Sequence, residues 1–206
     1  IQHYVADPEV RKGVWRSRLS SPAWTAKPNA GHLALTELER QQRLRAIITQ
    51  NIDGMHQKAG CDPERVIEVH GTMREVTCLS CGAREPMSST LGRVRAGEED
   101  PHCLHDREGQ TCGGILKSAT ISFGQALDLD VFDRAVTAVQ SADLVLAIGS
   151  TLTVHPAAGL VPLAVKGRIP VVIVNAQSTP YDALAVAVVR TPISEALPRM
   201  LAPPAR

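Results

Sequence analysis

Four of the five cysteines, Cys78, Cys81, Cys103 and Cys112, fall within one 35-residue window. Thiolates grouped in this way are ordinary ligands of a tetrahedral zinc ion, and the Cys78-x2-Cys81 turn aims two of them at one point. Eight residues separate Cys103 from Cys112, where roughly two to four are usual, so His102 and His105 stand as substitute ligands. Four protein ligands leave no position for a reacting water. Such a metal supports a fold, and the chemistry must come from other residues.

Those residues stand at the ends of short apolar runs. Thr49-Gln50-Asn51-Ile52-Asp53-Gly54 follows the run Ala46 to Thr49, and its amides and carboxylate suit a carboxamide and sugar hydroxyls, or else a capped turn. Val66 to Val69 ends in His70-Gly71. A histidine there can serve as a general base near neutral pH, and the glycine allows close backbone approach. Leu144 to Ile148 runs into Gly149-Ser150-Thr151-Leu152, and Pro170 to Val174 ends in Asn175-Ala176-Gln177. Small residues after one strand and an amide after the next suit a nucleotide's phosphate and ribose. Four polar strand ends on one sheet make a ligand-binding edge.

The elements needed to hold these ends follow from the same pattern. Val- and Ile-rich runs separated by helical periodicity predict a parallel α/β sheet, with a weaker fifth run at Ala185 to Val189. His32 to Gln42 puts Leu35, Leu38 and Gln42 near one helical face, and Phe132, Ala135, Val136 and Val139 share another. Pro156 suits the first turn of a helix, and Ile193 to Met200 a short terminal one. From about Thr77 to Lys117 the chain turns to Gly, Cys, Pro and charge. The expected division is therefore a main domain over 1–76 and 118–206 with a small metal-dependent insertion at 77–117.

Composition narrows the function classes. Lys plus Arg total 22 against 21 Asp plus Glu, and aromatics are 3%, so neither nucleic acid nor a membrane surface is an expected partner. No apolar run approaches the roughly 20 residues of a membrane helix. Ile-Gln-His-Tyr opens the sequence without a signal-peptide pattern, and clustered reduced cysteines agree with a cytoplasmic protein.

Taken together, Pro28-Asn29-Ala30-Gly31-His32, Thr49-Gln50-Asn51-Ile52-Asp53, His70-Gly71, Cys78-x2-Cys81, Phe123-Gly124, Gly149-Ser150-Thr151-Leu152 and Asn175 resemble the sirtuin family over nearly the whole chain. The resemblance implies a Rossmann-like parallel sheet with a small zinc-binding insertion, and an NAD-dependent protein lysine deacetylase. It makes His70 the catalytic base. Gln50, Asn51, Ile52 and Asp53 would line the nicotinamide and ribose pockets, while Gly149, Ser150, Thr151, Asn175, Ala176, Gln177 and Ile193 would hold the adenosine side of NAD. Cys78, Cys81, Cys103 and Cys112 would hold structural zinc. Phe123, Gly124 and Val154 would meet the acyl-lysine peptide of a protein substrate. In the family's reaction the acyl oxygen attacks C1′ of the nicotinamide ribose, and nicotinamide leaves. The base then removes a proton from a ribose hydroxyl that captures the intermediate, and addition of one water gives free lysine and O-acetyl-ADP-ribose.

The match departs from the family in several places. Gln125 stands for the usual Glu, and Gly149-Ser150-Thr151 inverts Gly-Thr-Ser. The family's opening Gly-Ala-Gly turn and Asp-Phe-Arg segment have no counterpart. Because the first strand of this fold lies mid-sheet and its turn cradles pyrophosphate, the sequence is expected to omit residues before Ile1. Val14-Trp15-Arg16-Ser17-Arg18 lacks the Tyr of sirtuins that remove succinyl or malonyl groups, which favours deacetylation. Arg18 remains able to meet a carboxylate, and the plain alternative puts Arg16 and Arg18 on a solvated face. Other deacylation, ADP-ribosyl transfer and a non-catalytic acyl-lysine or ADP-ribose reader are the competing functions on the same residues.

Overall fold

A computed structural model describes residues 1–122 and 124–202. The chain opens with helices α1 (Gln2–Ala6) and α2 (Pro8–Leu19), then α3 (Ala30–Arg40), β1 (Ile47–Thr49), α4 (Met55–Ala59) and β2 (Val66–Glu68). It continues through β3 (Gly71–Cys78), β4 (Arg84–Pro86), α5 (Met87–Arg95), β5 (Asp106–Arg107), β6 (Gln110–Thr111) and β7 (Leu116–Thr120). The remainder holds α6 (Leu129–Gln140), β8 (Val145–Ile148), α7 (Leu160–Lys166), β9 (Val171–Val174), β10 (Ala187–Val189) and α8 (Ile193–Met200). These elements form two compact units. The first comprises Ile1–Ala26, Asn51–Gly54 and His70–Leu127, and the second Lys27–Gln50, Met55–Val69 and Asp128–Arg206.

The second unit carries the parallel strands. β1 pairs with β2, matching Ile47 to Val66, in one two-stranded sheet, and β9 lies between β8 and β10 in a second; among the described residues no ladder joins the two, so the four strand ends expected on one sheet stand on two. β9, the middle strand, holds its place by burying branched side chains on both faces, with Val171, Ile173 and Val174 fully buried. Ala135 and Val139 of α6 cover that core with Phe132 and Val136 beside them, as the helical spacing requires. Asn29 caps α3 by accepting from the His32 backbone N–H at 3.1 Å, and the His32 ring reaches back to the Asn29 N–H. Leu35 and Leu38 face inward from α3 as expected. Gln42 does not, because the helix ends at Arg40 and Gln42 has φ 59°.

The helix expected from Pro156 begins later. His155-Pro156 is a cis peptide, Ala157–Gly159 forms one 3-10 turn, and the α-helix starts at Leu160.

An antiparallel sheet in the order β4-β3-β7 builds the first unit, and neither β3 nor β7 was expected from the sequence pattern. Its core joins Val76, Met87, Leu91 and Leu116 to Trp15 from α2. Arg11 fixes α2 further, forming an ion pair with Asp100 at 2.8 Å and donating to the Val5 carbonyl at 2.9 Å. Arg16 lies on the solvated face, 3.7 Å from Glu99, whereas Arg18 is half-buried, and that burial pushes its pKa down.

Candidate functional site

In the first unit, a turn after β3 and a loop before β7 bring the four cysteines together, their sulfur atoms all within 4.8 Å of one another. Cys78 Sγ lies 3.8 Å from Cys112 Sγ, and Cys81 Sγ lies 3.7 Å from Cys103 Sγ. Disulfide sulfurs stand about 2.05 Å apart, whereas a tetrahedron with Zn–S bonds of about 2.3 Å separates its sulfurs by about 3.8 Å. The set fits one zinc ion. Burial pushes the Cys78 thiol up, but hydrogen bonds from the backbone N–H groups of Cys81 and Ser80 and from the Cys81 and Cys103 side chains together bring it down to about 7. Gly114 is required beside this group, because a Cβ there would stand 2.6 Å from Cys78 Sγ.

The histidines offered as substitutes lie outside the four-sulfur cluster. His102 Nδ1 lies 2.8 Å from the Gly113 carbonyl, and the His105 backbone N–H donates to Cys103 Sγ at 3.5 Å. The wide Cys103 to Cys112 spacing is taken up by the small β5-β6 hairpin.

His70 enters β3 partly buried, and its carbonyl accepts from the Ile121 N–H at 2.8 Å. Gly71 follows with φ 72°, and a Cβ there would run into the Ala119 carbonyl, so only glycine allows β7 to pass this close. Asn51, Ile52 and Asp53 belong to the same unit. The Met73 N–H donates to the Ile52 carbonyl at 2.9 Å, and Arg74 Nη2 donates to the Asp53 carbonyl at 3.0 Å. Gly54, at φ 66°, leaves the space that the Arg74 guanidinium occupies. This tie was not foreseen; Arg74 carries no motif signal because its partner is a backbone carbonyl distant in sequence.

In the second unit, Gln50 Nε2 donates to Ser150 Oγ at 3.3 Å, joining the end of β1 to the end of β8. The Gly149 N–H donates to the Val174 carbonyl at 2.9 Å, and Gly149 adopts φ 62°. A Cβ there would stand 2.8 Å from Ile193 Cδ1, so Ile193 packs directly on the glycine turn. Ser150 Oγ accepts from the Leu152 N–H at 3.1 Å, and Thr151 Oγ1 lies 2.9 Å from Thr153 Oγ1. Asn175 Nδ2 donates to the Gln177 carbonyl at 2.9 Å, which curls Asn175, Ala176 and Gln177 into a turn. Arg190 closes it, donating to the carbonyls of Asn175 at 2.8 Å and Gln177 at 2.5 Å while pairing with Asp182. Arg190 likewise had no signal in the sequence.

Of the residues expected to meet a peptide, Val154 is exposed in the second unit and Gly124 is exposed in the first with φ 83°. Phe123 lies outside the described residues. Beside it the Ser122 N–H donates to Gln125 Oε1 and the Gln125 N–H to the Ser122 carbonyl, both at 2.9 Å, so Gln125 shapes this bend through its amide oxygen.

Polar turns after parallel strands, together with a four-cysteine antiparallel unit, define a Rossmann-like α/β protein with a small zinc-binding module. The chain belongs to the Sir2 family, whose sequence profile matches residues 2–156. It is 46% identical over 200 residues to the protein named NAD-dependent protein deacetylase 2 of Streptomyces coelicolor, covering 97% of this chain and 80% of that one. A solved Sir2 complex with a p53 peptide and NAD+ matches at TM-score 0.85 and 29% identity, covering 97% of this chain and 79% of that one. A second, solved with an inhibitor, 2'-O-acetyl-ADP-ribose and a deacetylated p53 peptide, matches at TM-score 0.81 and 30% identity, covering 97% and 81%.

Proposed function

We propose that this chain is an NAD-dependent protein lysine deacetylase that releases nicotinamide and O-acetyl-ADP-ribose, with His70 as its general base. The observation that carries this reading is that the matched motifs sit on a built scaffold. Gly71 and the Ile121 N–H hold the His70 backbone, and Met73 and Arg74 hold the loop of Asn51, Ile52 and Asp53. Fixing the backbone that carries a base lessens the reorganisation needed at proton transfer. The names of the relatives and the ligands of the matching complexes support NAD and an acetyl-lysine peptide as the two substrates.

Each residue has a role in this reading. Gln50, Asn51, Ile52 and Asp53 orient nicotinamide and its ribose so that the acyl oxygen reaches C1′. Gly149, Ser150, Thr151 and Ile193 take the adenosine half, with Asn175, Ala176 and Gln177 on its ribose. His70 removes the proton from the ribose hydroxyl that captures the acyl group, a service worth roughly 10²- to 10⁴-fold. Phe123, Gly124 and Val154 meet the peptide. Zinc on Cys78, Cys81, Cys103 and Cys112 supplies fold energy to segment 77–117 and takes no part in the reaction, while the NAD chemistry belongs to 1–76 and 118–206.

Cytoplasmic work on proteins, away from nucleic acid and membrane, completes the reading. It is supported by the five free cysteines, which suit a reducing compartment, and by a formal charge of +1. Among the described residues no helix is long and apolar enough to cross a membrane.

The test is deacetylation of an acetyl-lysine peptide with and without NAD. Loss of acetyl only with NAD, matched by nicotinamide release, is expected. Turnover without NAD refutes the proposal.

A further inference from the structure

Lys117, an ionisable residue, is buried to 7% exposure in β7. Its ammonium group donates to the Ser118 carbonyl at 2.9 Å and to the Thr120 carbonyl. Among the described residues no carboxylate forms an ion pair with it. Burial, with the charge of Arg18 nearby, pushes its pKa below the ordinary lysine value. An apolar side chain would fill a core position without that desolvation cost, so the ammonium is present for what it binds.

What it binds is the irregular end of the strand. β7 is an outer strand of the β4-β3-β7 sheet. Between the pairs Gly71↔Thr120 and Val76↔Ser118 its register breaks, with Thr72, Met73, Arg74 and Glu75 standing opposite Ala119 alone. Buried carbonyls in a broken ladder still need donors, and Lys117 supplies them on both sides of Ala119. Directly beyond, the Ile121 N–H donates to the His70 carbonyl, and Ser122 and Gln125 hydrogen-bond to each other. The path of Ser118 to Ile121 thus decides where the peptide segment begins and how the His70 backbone is held.

We propose that Lys117 is a positioning residue for the acyl-lysine peptide, its ammonium fixing the end of β7 on which both Ile121 with Ser122 and the His70 turn rest. The proposal rests on the deacetylase reading and on the assignment of that segment to the peptide. It predicts a selective defect, in which peptide recognition suffers while NAD recognition does not.

The experiment is steady-state kinetics on the zinc-loaded full chain, varying acetyl-lysine peptide at saturating NAD and then NAD at saturating peptide. Lys117→Met should raise the peptide KM about tenfold or more while the NAD KM stays within about twofold. Lys117→Arg, which keeps a cationic donor, should return the peptide KM to within about threefold of the parent. An unchanged peptide KM in Lys117→Met overturns the proposal, as does a loss of both KM values and melting temperature together that Arg does not rescue. Should Lys117→Met fail to fold, Lys117→Gln is measured instead, with a rise in peptide KM expected and none contradicting. If the parent chain does not deacetylate, the functional reading fails by itself. Amide hydrogen exchange at Ile121 then decides the positioning claim, with faster exchange in the variant expected and unchanged exchange overturning it.

Discussion

The Arg74 guanidinium donates to the Asp53 carbonyl at 3.0 Å and fills the space that a side chain on Gly54 would take. A loop of polar residues offered to a ligand is thereby fastened to β3 by a residue that has no role in the family motif. Loops carry function when a rigid element positions them, and here that element is the strand that His70 enters.

Arg74→Ala should therefore damage NAD use more than stability. It removes one hydrogen bond from a charged donor, worth about 1.5–3 kcal/mol where it orders the loop. About a tenfold or greater fall in kcat/KM for NAD is expected, with the melting temperature lowered by only a few degrees. Kinetics and thermal unfolding on one preparation check this, and unchanged NAD kinetics would remove Arg74 from the account.

Cys81→Ala should lose the metal and unfold the first unit's small sheet, because its core of Val76, Met87, Leu91 and Leu116 is held closed around the cysteine cluster. His102→Ala should keep one zinc per chain, since the four sulfurs already form a complete set within 4.8 Å. Elemental analysis of both variants decides. Zinc retained in the first, or lost from a folded second, contradicts the ligand assignment.

The residues proposed to do the chemistry each stand where an apolar run stops, and those runs were legible in the sequence. Ile47–Thr49, Val66–Glu68, Val145–Ile148 and Val171–Val174 appear as strands within a residue or two of the expected runs, since buried parallel strands are read from Val and Ile alone. The first unit was far less legible. β3 and β7 meet across a broken register, and Trp15 of α2 completes a core with residues more than sixty positions away. Arg74, Lys117 and Arg190 escaped for one shared reason. Each binds backbone carbonyls, which every residue has, so no pattern of side chains announces the partner.

The central claim, that His70 is the base of an NAD-consuming deacylation, is tested most directly by nicotinamide-coupled deacetylation in His70→Ala against the parent. Removing a base from a preformed site should cut turnover by roughly 10²-fold or more while NAD affinity and the melting temperature stay close to the parent's. A His70→Ala protein that turns over at nearly the parental rate, or whose loss is wholly explained by unfolding, contradicts the account.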